Sequence, residues 1–359
     1  MLDDLDIARW RLRSQHLASP QVPSAADAVA GLLAVQAENP SQASWAVATR
    51  TQHPDQGDLA GLLDDGSVVR THVLRPTWHY VRSEDVAWLI DLTGPRVRRL
   101  TAAGLTTGHG LDEPAIEHAL EVVVDVLDGS ADLTRPQVAE ALRLRGIQAE
   151  GQALMLLLAH AELSGLVCSG APADGEHTYT LMERRVPVPR RLERTQALAE
   201  LALRYFTGHG PATENDLAYW ATLPVTDVRA GLEQVRHRLG WFEHDGRRFW
   251  HAPGDPPAGP QEPAGHLLQI LDETYRGYQD SRWVLDAAGQ VPRGRETALG
   301  MALVDAQLLA GMRRTVGRGH VTFELRPYRP LTGLERDALD EAAQRYGAFL
   351  GLPARLTLA

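Results

Sequence analysis

The chain has 359 residues, of which 44% are apolar and 23% are charged, the balance of a soluble globular protein with two to four domains. Its net charge of −10 excludes a uniformly basic surface, although a single arginine-lined face is compatible with an acidic exterior. There is no run of ~18 apolar residues, no apolar N-terminal segment and one cysteine. We therefore expect no membrane span and no signal peptide, and a location in the reducing cytoplasm.

The N-terminal part predicts three helices followed by a pair of strands. Apolar periodicity predicts helices over 4–18, after Ser24 as an N-cap, and over 41–50, then two strands within 68–81 separated at Pro76, and a helix from Ser83 to Leu92. This order is typical of a winged helix, a helix-turn-helix unit with a β-hairpin. We assign it to residues 1–110.

The same order occurs twice more. Helices are predicted over 112–128, after Thr134 and over 150–165, with a hairpin at Asp174–Gly175; then over 195–207, from Thr213 or Asn215 and over 226–239, with a hairpin at Asp245–Gly246. Repetition of one supersecondary unit predicts a tandem array. The second and third winged helices are assigned to 111–190 and 191–255.

The last part of the chain has a different pattern. Residues 253–263 are rich in Pro and Gly and predict a linker. Short β-like runs follow over 267–270, 302–309, 312–316 and 321–325, and the last predicted helix spans 332–350. Such short strands favour a small barrel or a curled sheet over 256–359. The predicted fold is thus mainly α with β wings (α+β): three tandem winged helices and a C-terminal β-barrel.

A polar break between two apolar helical runs, in the stretch 32–45, carries Gln36 and Glu38. Because Pro40 restricts Asn39 to extended conformations, we expect the preceding helix to end near Val35 and both polar side chains to lie on a turn. Such a turn is a suitable place for chemistry. The same residues are also compatible with an ordinary corner between two helices.

Several common catalytic and cofactor motifs are absent from the sequence. All 36 basic residues are arginines, so no Walker A loop can form, and no G-x-S-x-G, HExxH or paired-cysteine motif occurs. The 14 histidines are scattered rather than set at metal-ligand spacing. We expect no metal and no cofactor. The Gly-His-Gly triplets at 108 and 208 predict turns that end helices.

Tandem helix-turn-helix units favour a surface that wraps a DNA duplex. Arg247 and Arg248, beside the Asp245–Gly246 turn, are then placed to contact phosphate. Arginine clusters at 95–99 and 184–194 fit either a DNA-facing surface or solvated helix faces and linkers. A winged helix that binds protein instead of DNA is the alternative.

Four stretches together resemble the tandem winged-helix DNA glycosylases of the AlkZ type. They are LLAVQAENPSQASWAVATR, LRPTWHYVRSEDVAWL, HGPATENDLAYWATL and LLQILDETYRGYQDSRWVLD, and the resemblance runs from about residue 5 to 350. It implies three winged helices and a C-terminal β-barrel arranged as a C around DNA. It also implies a monofunctional glycosylase that releases bulky or N7-alkylated purines from double-stranded DNA, often as self-resistance to a genotoxic natural product. We expect it to act as a monomer.

The resemblance implies that Gln36 and Glu38 are catalytic. The family signature is a glutamine, a hydrophobic residue and a second glutamine, with aspartate last in a sister branch, so Glu38 departs from both patterns. A cationic purine leaves without a general acid, so Glu38 as base and Gln36 as orienting group suffice to direct water at C1′. Thr77 and His79 either hold the lesion or the DNA backbone, or make a structural hydrogen bond.

Two further questions stay open at this level. Asp272, Tyr275, Tyr278 and Arg282 lie at helical spacing, which favours packing over a role at the site. A bulky adduct does not require the base to be flipped into a tight pocket. The alternative function is a non-catalytic winged-helix DNA-binding protein, a regulator or lesion sensor, in which the motif has lost catalysis; its acidic charge and its Glu38 favour that alternative.

Overall fold

The N-terminal part of the computed structural model, which describes residues 2–171, 176–259, 263–292 and 299–359, is a helical unit with one small sheet. Its elements are α1 (Asp4–Ser14), α2 (Ala25–Leu32), β1 (Val35–Gln36), α3 (Pro40–Ala48), α4 (Gln56–Asp64), β2 (Val68–His72) and β3 (Trp78–Arg82). The strands pair in the order β1-β3-β2, with Gln36 opposite His79. The two strands predicted on either side of Pro76 are confirmed.

The break after α2 differs from the prediction. Ser24 caps α2 as expected, but the helix ends at Leu32 because Leu33 has a positive φ of 65°, which a residue of a right-handed helix does not adopt. Asn39 is extended and caps α3, with Pro40 in the first turn, as the sequence indicated. Gln36 therefore lies in a short strand paired with β3, and only Glu38 lies on the connecting turn.

The middle of the chain repeats this strand order. Its elements are α5 (Ser83–His109), α6 (Glu113–Asp128), β4 (Leu133–Thr134), α7 (Arg135–Leu144), α8 (Gly151–Leu163), β5 (Val167–Ser169), β6 (Thr178–Leu181) and α9 (Met182–Arg185). The sheet order is β4-β6-β5. The predicted Asp174–Gly175 turn lies outside the described residues.

Helix α5 is longer than the predicted helix, which ended at Leu92. It continues through Pro95, which cannot donate a backbone hydrogen bond. Buried apolar residues on both sides of the proline, such as Leu89 and Val97, stabilise the two halves by packing. The helix ends at the first Gly-His-Gly triplet, where Gly110 is left-handed, as predicted.

A third group of elements follows: α10 (Arg194–Gly208), α11 (Glu214–Trp220), α12 (Val225–Val235), β7 (Gly240–His244) and β8 (Arg247–His251). Ala212 forms an isolated bridge to Trp250 in β8, so the same strand order occurs a third time. The predicted hairpin is confirmed: Asp245 and Gly246 have φ 48° and 68°, the left-handed pair of a tight two-residue turn.

Helix α10 lies at the centre of the fold. Its residues Leu201, Tyr205 and Phe206 are buried in one core together with side chains from all three groups of elements. The helix approaches α2 so closely that a Cβ on Gly208 would lie 2.1 Å from the Gly31 carbonyl oxygen. A side chain at 208 is therefore excluded, and the first and third groups are packed together.

The C-terminal part, predicted as a small barrel or a curled sheet, is an open five-stranded sheet, and no closed barrel is found among the described residues. Its elements are β9 (Gly265–Leu268), α13 (Glu273–Arg276), β10 (Gly300–Val304), β11 (Gln307–Val316), β12 (Val321–Pro327), α14 (Gly333–Leu350) and β13 (Ala354–Leu358). The strand order is β13-β12-β11-β10-β9, so β9 and β13 are edges. The core of buried aromatic and aliphatic side chains between this sheet, α14 and Trp45 of α3 stabilises the sheet without closure.

Among the described residues, no helix combines the length and apolarity needed to cross a bilayer. The chain is a mixture of helices and short strands, with helix predominating, as predicted. Element by element, the helices at 112–128, 195–207 and 332–350 are confirmed to within a few residues.

Replacing Thr332 with alanine is expected to lower the free energy of unfolding by about 1 kcal/mol. Thr332 forms a capping box at α14, in which its side chain accepts from Glu335 N at 3.2 Å and Glu335 accepts from Thr332 N at 2.8 Å. Urea unfolding measures the change. Thr332→Ser retains the hydroxyl and is the matched control; an equal loss in both variants would contradict the capping role.

Candidate active site

The predicted residues Gln36 and His79 face each other across the β1–β3 pair. Side chains at directly opposed positions share one face of a sheet. Gln36 is 4% exposed and His79 is fully buried. The structure thus brings together two polar residues that are 43 positions apart in the sequence, 79 minus 36.

Arg75 fixes the orientation of the Gln36 amide. Its Nη2 donates to Gln36 Oε1 at 3.3 Å and to His79 Nε2 at 3.3 Å. A guanidinium group only donates hydrogen bonds, so the atom of Gln36 that faces Arg75 is the carbonyl oxygen. The Gln36 NH2 group is consequently the end that is left for a ligand.

His79 is neutral. Burial and, to a smaller extent, the charge of the neighbouring Arg75 together lower its pKa to about 3. Since Nε2 accepts from Arg75, the proton is on Nδ1, which donates to the Thr77 carbonyl oxygen at 2.9 Å. His79 therefore lies beneath Arg75 and holds it in place, and its ring is not exposed to a ligand.

Glu273 is a buried carboxylate behind Gln36, and sequence analysis did not identify it. Its Oε1 accepts from Gln36 N at 3.4 Å and lies 3.8 Å from Arg75 Nη2. Its Oε2 accepts from Trp220 Nε1 at 2.7 Å and lies 3.2 Å from His209 Nε2. One carboxylate thus connects β1, Arg75, the C-terminal end of α10 at His209 and the C-terminal end of α11 at Trp220.

Glu273 is ionised at neutral pH. Burial acts to raise its pKa, but the hydrogen bond with His209 and the charge of Arg75 outweigh burial and lower the pKa to about 2. An unpaired buried carboxylate would instead be protonated. The negative charge balances Arg75 within the protein interior.

The low pKa of Glu273 predicts a pH-dependent contribution to stability. A carboxyl with pKa about 2 in the folded state and 4.5 otherwise contributes on the order of 3 kcal/mol, present above pH ~5 and lost as pH falls toward 2. Urea unfolding of wild type and Glu273→Gln between pH 7 and 3 measures it. The difference in unfolding free energy should shrink at low pH; a constant difference would contradict the assignment.

Glu38 and Thr77 lie next to this cluster. Glu38 Oε1 accepts from Trp78 N at 3.2 Å, and Glu38 is partly exposed, unlike Gln36. Thr77 immediately precedes Trp78, and its Oγ1 is buried with no hydrogen-bond partner among the described residues. The polar side chains of 36, 38, 77 and 79 therefore form one group at the β1–β3 pair.

A cavity of about 500 Å³ opens beside Gln36, and we call it the Gln36 cavity. Its lining comes from the first and third groups of elements, from α5, and from the C-terminal part at and before α13. Its lining includes Gln36, Arg75, Pro76, Thr77, Arg96, Ala218, Tyr219, Thr222, Leu223, Leu271 and Arg276. A concave surface with a few convergent polar groups is the usual form of a ligand site.

Arg247 and Arg248 lie elsewhere, on β8, and neither lines the Gln36 cavity. Arg247 is 3.1 Å from Asp245 and 3.5 Å from Asp280, and Arg248 is 3.5 Å from Glu243. Acidic neighbours thus offset both charges. The structure separates these two predicted residues from the other four.

The residues predicted to pack do so. Asp272 and Tyr278 are buried, and Asp272 caps α13 and forms an ion pair of 2.8 Å with Arg50. The helical spacing was misleading, because α13 ends at Arg276. The adjacent Glu273 could have been found only as a charged residue inside an otherwise apolar and aromatic stretch. The second Gly-His-Gly triplet ends α10 as predicted, yet its His209 contacts Glu273.

Comparison with known proteins gives concordant results. The AlkZ-like DNA glycosylase family matches residues 29–349. An interstrand DNA cross-link repair glycosylase from Streptomyces sahachiroi is 26% identical over 255 residues, which are 67% of this chain and 67% of that protein. The structure of the DNA glycosylase AlkZ from Streptomyces sahachiroi matches with a TM-score of 0.78 at 21% identity, covering 99% of this chain and 100% of that one.

The matched fold and the matched sequence family define the class of the protein as DNA glycosylase. Since the family match spans most of the chain, the protein belongs to the AlkZ-like DNA glycosylase family. The resemblance seen in four sequence stretches is thereby confirmed.

Proposed function

We propose that the protein is a monofunctional DNA glycosylase that hydrolyses the N-glycosidic bond of bulky or N7-alkylated purines in double-stranded DNA. The observation that carries this proposal is the position of Gln36 and Glu38. Gln36 lines the Gln36 cavity, Glu38 follows on the connecting turn, and Thr77 and His79 lie just before and on the facing strand β3. The membership of the glycosylase family agrees with it.

The three repeated groups of elements support DNA as the partner. In each, a short strand or bridge precedes two helices and pairs with the second strand of a hairpin. We infer that the three groups are winged helices, with boundaries near 110, 190 and 255, so that α5 is counted with the first winged helix. Helix-turn-helix units commonly place a helix against a duplex. The C-shaped arrangement and the monomeric state stay predictions.

Catalysis then needs an oriented water and little else. An N7-alkylated purine is positively charged and leaves without protonation, so the barrier lies in forming an oxocarbenium-like sugar. Glu38 Oε1 is held by Trp78 N, and no hydrogen bond within the described part of the chain occupies Oε2. Oε2 is therefore free to accept a proton from water.

Gln36 has a different role from a base. Because its Oε1 accepts from Arg75, its NH2 group donates. A donor can hold the attacking water through a lone pair of the water oxygen, which leaves the water hydrogens for Glu38. In this arrangement Glu38 is the base and Gln36 positions the nucleophile.

The relative from Streptomyces sahachiroi acts, by its name, in interstrand DNA cross-link repair. We extend this to a substrate class for the present protein: bulky purine adducts, including cross-links, with self-resistance to a genotoxic natural product as the biological role.

Base release from defined adducts tests the function. Purified protein is incubated with duplexes carrying N7-methylguanine, a bulky N7-guanine adduct or no damage, and each is analysed with and without alkali. A monofunctional glycosylase gives strand breaks only at the adduct and only after alkali. If no adduct gives breaks, while selection from random DNA returns one preferred sequence, the protein is a non-catalytic DNA-binding protein instead.

A further inference from the structure

The Gln36 cavity is strongly cationic in an acidic protein. Arg75, Arg96 and Arg276 line it, and no carboxylate belongs to its lining. Glu273, 3.8 Å behind Arg75, offsets only one of these charges. The chain as a whole has a net charge of −10. A concentration of positive charge against that background marks a place for an anion.

The pKa of Tyr219, which also lines the cavity, is affected by the same positive charges. Its ring is 6.0 Å from the Arg75 guanidinium and 5.9 Å from the Arg282 guanidinium. Burial acts to raise the pKa of Tyr219, but Arg75, a hydrogen bond with Arg276, and Arg282 lower it overall. The positive charge at this wall of the cavity therefore outweighs the effect of desolvation.

Two lining residues also carry buried polar atoms without partners. Arg276 Nε and Thr77 Oγ1 have no hydrogen-bond partner among the described residues. Buried donors are normally satisfied, and orphaned ones point to a ligand or ion. Arg276 can supply a donor pair of the kind that matches two phosphate oxygens.

The charge of the cavity decides which part of a lesion it can hold. An N7-alkylated purine is itself cationic, so two uncompensated guanidinium groups would repel it. A phosphodiester carries one negative charge and four oxygens, and arginine is the side chain that recognises this geometry best. The Gln36 NH2 group, which holds the attacking water in the proposed mechanism, is also a donor and so does not attract a cationic ring.

We propose that the Gln36 cavity binds a phosphodiester of the DNA backbone next to the damaged nucleotide, through Arg276, Arg96 and Thr77, and that the damaged base lies outside it. This inference rests on the proposed function. It places the backbone at Gln36 and leaves the purine on the side of the partly exposed Glu38. A bound phosphate at this position would also carry negative charge near the developing oxocarbenium ion.

A thermodynamic cycle between protein and DNA tests the proposal. Duplexes with a tetrahydrofuran abasic analogue carry one neutral methylphosphonate at each flanking phosphate in turn. At one of these positions, the methylphosphonate is expected to lower the affinity of wild type for DNA roughly ten-fold, which is the effect of losing one charge-assisted hydrogen bond. For Arg276→Gln, the same methylphosphonate should lower DNA affinity by less than about two-fold. The slope of log Kobs against log salt concentration should be smaller in magnitude than that of wild type by ~0.9.

Two further variants complete the design. Arg96→Gln removes an exposed lining charge, so it is informative even if Arg276→Gln does not fold. Arg326→Gln, whose partner Glu324 is at 3.2 Å and which lies outside the cavity, is the control for loss of one charge. In this control, the methylphosphonate at the same position should lower DNA affinity as much as it does in wild type.

The outcomes separate this proposal from the proposed function. The phosphate site would be overturned if methylphosphonates lowered the affinity of both cavity variants as much as that of wild type at every position. It would also be overturned if no single position lowered the affinity of wild type more than the others. A third outcome would also overturn it: inorganic phosphate displaces DNA at matched ionic strength, while no methylphosphonate position has a specific effect on affinity. That outcome would identify a site for a free anion. Base release by wild type is measured in parallel; its absence overturns the glycosylase function, whatever the cycle gives.

Discussion

Glu38→Ala is expected to lower the single-turnover rate of purine release by about 10²–10⁴-fold, because alanine removes the side-chain oxygen that accepts from and orients the attacking water. The alanine leaves the water without an acceptor at the position where Trp78 N now fixes the carboxylate. Glu38→Gln should stay within roughly ten-fold of wild type, because a cationic leaving group tolerates a weak base and an amide can still orient water. Quenched time points with excess enzyme over an N7-methylguanine duplex measure both rates.

The contrast between the two variants is the informative part. Both remove the charge, but only alanine removes the hydrogen-bonding group. If Glu38→Ala releases purine at the wild-type rate, Glu38 has no catalytic role. Thermal unfolding of each variant shows whether a lost rate reflects lost folding.

Arg50→Met is expected to lower the free energy of unfolding by about 3–5 kcal/mol, because it leaves a buried carboxylate without its partner. Arg50 and Asp272 are both fully buried, and two Arg50 nitrogens donate to the Asp272 carboxylate at 2.8 and 3.1 Å. The pair joins the segment after α3 to the N-terminus of α13, whose first residue is Glu273. Urea unfolding at neutral pH measures the loss.

Arg50→Met combined with Asp272→Asn is the matched control. It removes both charges, so no buried ion is left unpaired, and it should be less destabilised than Arg50→Met alone. Equal or greater destabilisation of the double variant would show that the carboxylate is not the source of the loss.

Much of the helical part was predictable because its signals are local. Ser24, Thr134 and Thr213 cap the helices that they were expected to start, and each does so through contacts within three residues. The Asp245–Gly246 turn needs two left-handed residues, a requirement that Asp-Gly meets. Repetition of these local signals revealed the repeated units.

The C-terminal sheet was harder for identifiable reasons. The run 302–309 contains a turn at Asp305 and Ala306, with φ 48° and 61°, in which no glycine or proline marks the reversal. Strand β13 pairs in parallel with β12 after the intervening α14, so its partner is not a sequence neighbour. Whether a sheet closes depends on long-range geometry that short apolar runs do not encode.

The candidate site shows the same division. Gln36, Glu38, Thr77 and His79 were selected from two stretches of sequence, and the structure places them on or beside two paired strands. Glu273 was missed because its significance depends on partners such as Gln36, 237 positions away. Arg75 was overlooked beside Pro76, although it fixes the Gln36 amide.

The central claim is that the glycosidic bond is hydrolysed at Gln36 and Glu38. The most direct measurement is release of N7-methylguanine, together with duplex affinity, by one preparation of the Gln36→Ala, Glu38→Ala double variant. We expect release at the uncatalysed rate with DNA affinity within about two-fold of wild type, since neither side chain supplies positive charge for phosphate. Release at the wild-type rate would contradict the claim, as would loss of affinity in step with loss of activity.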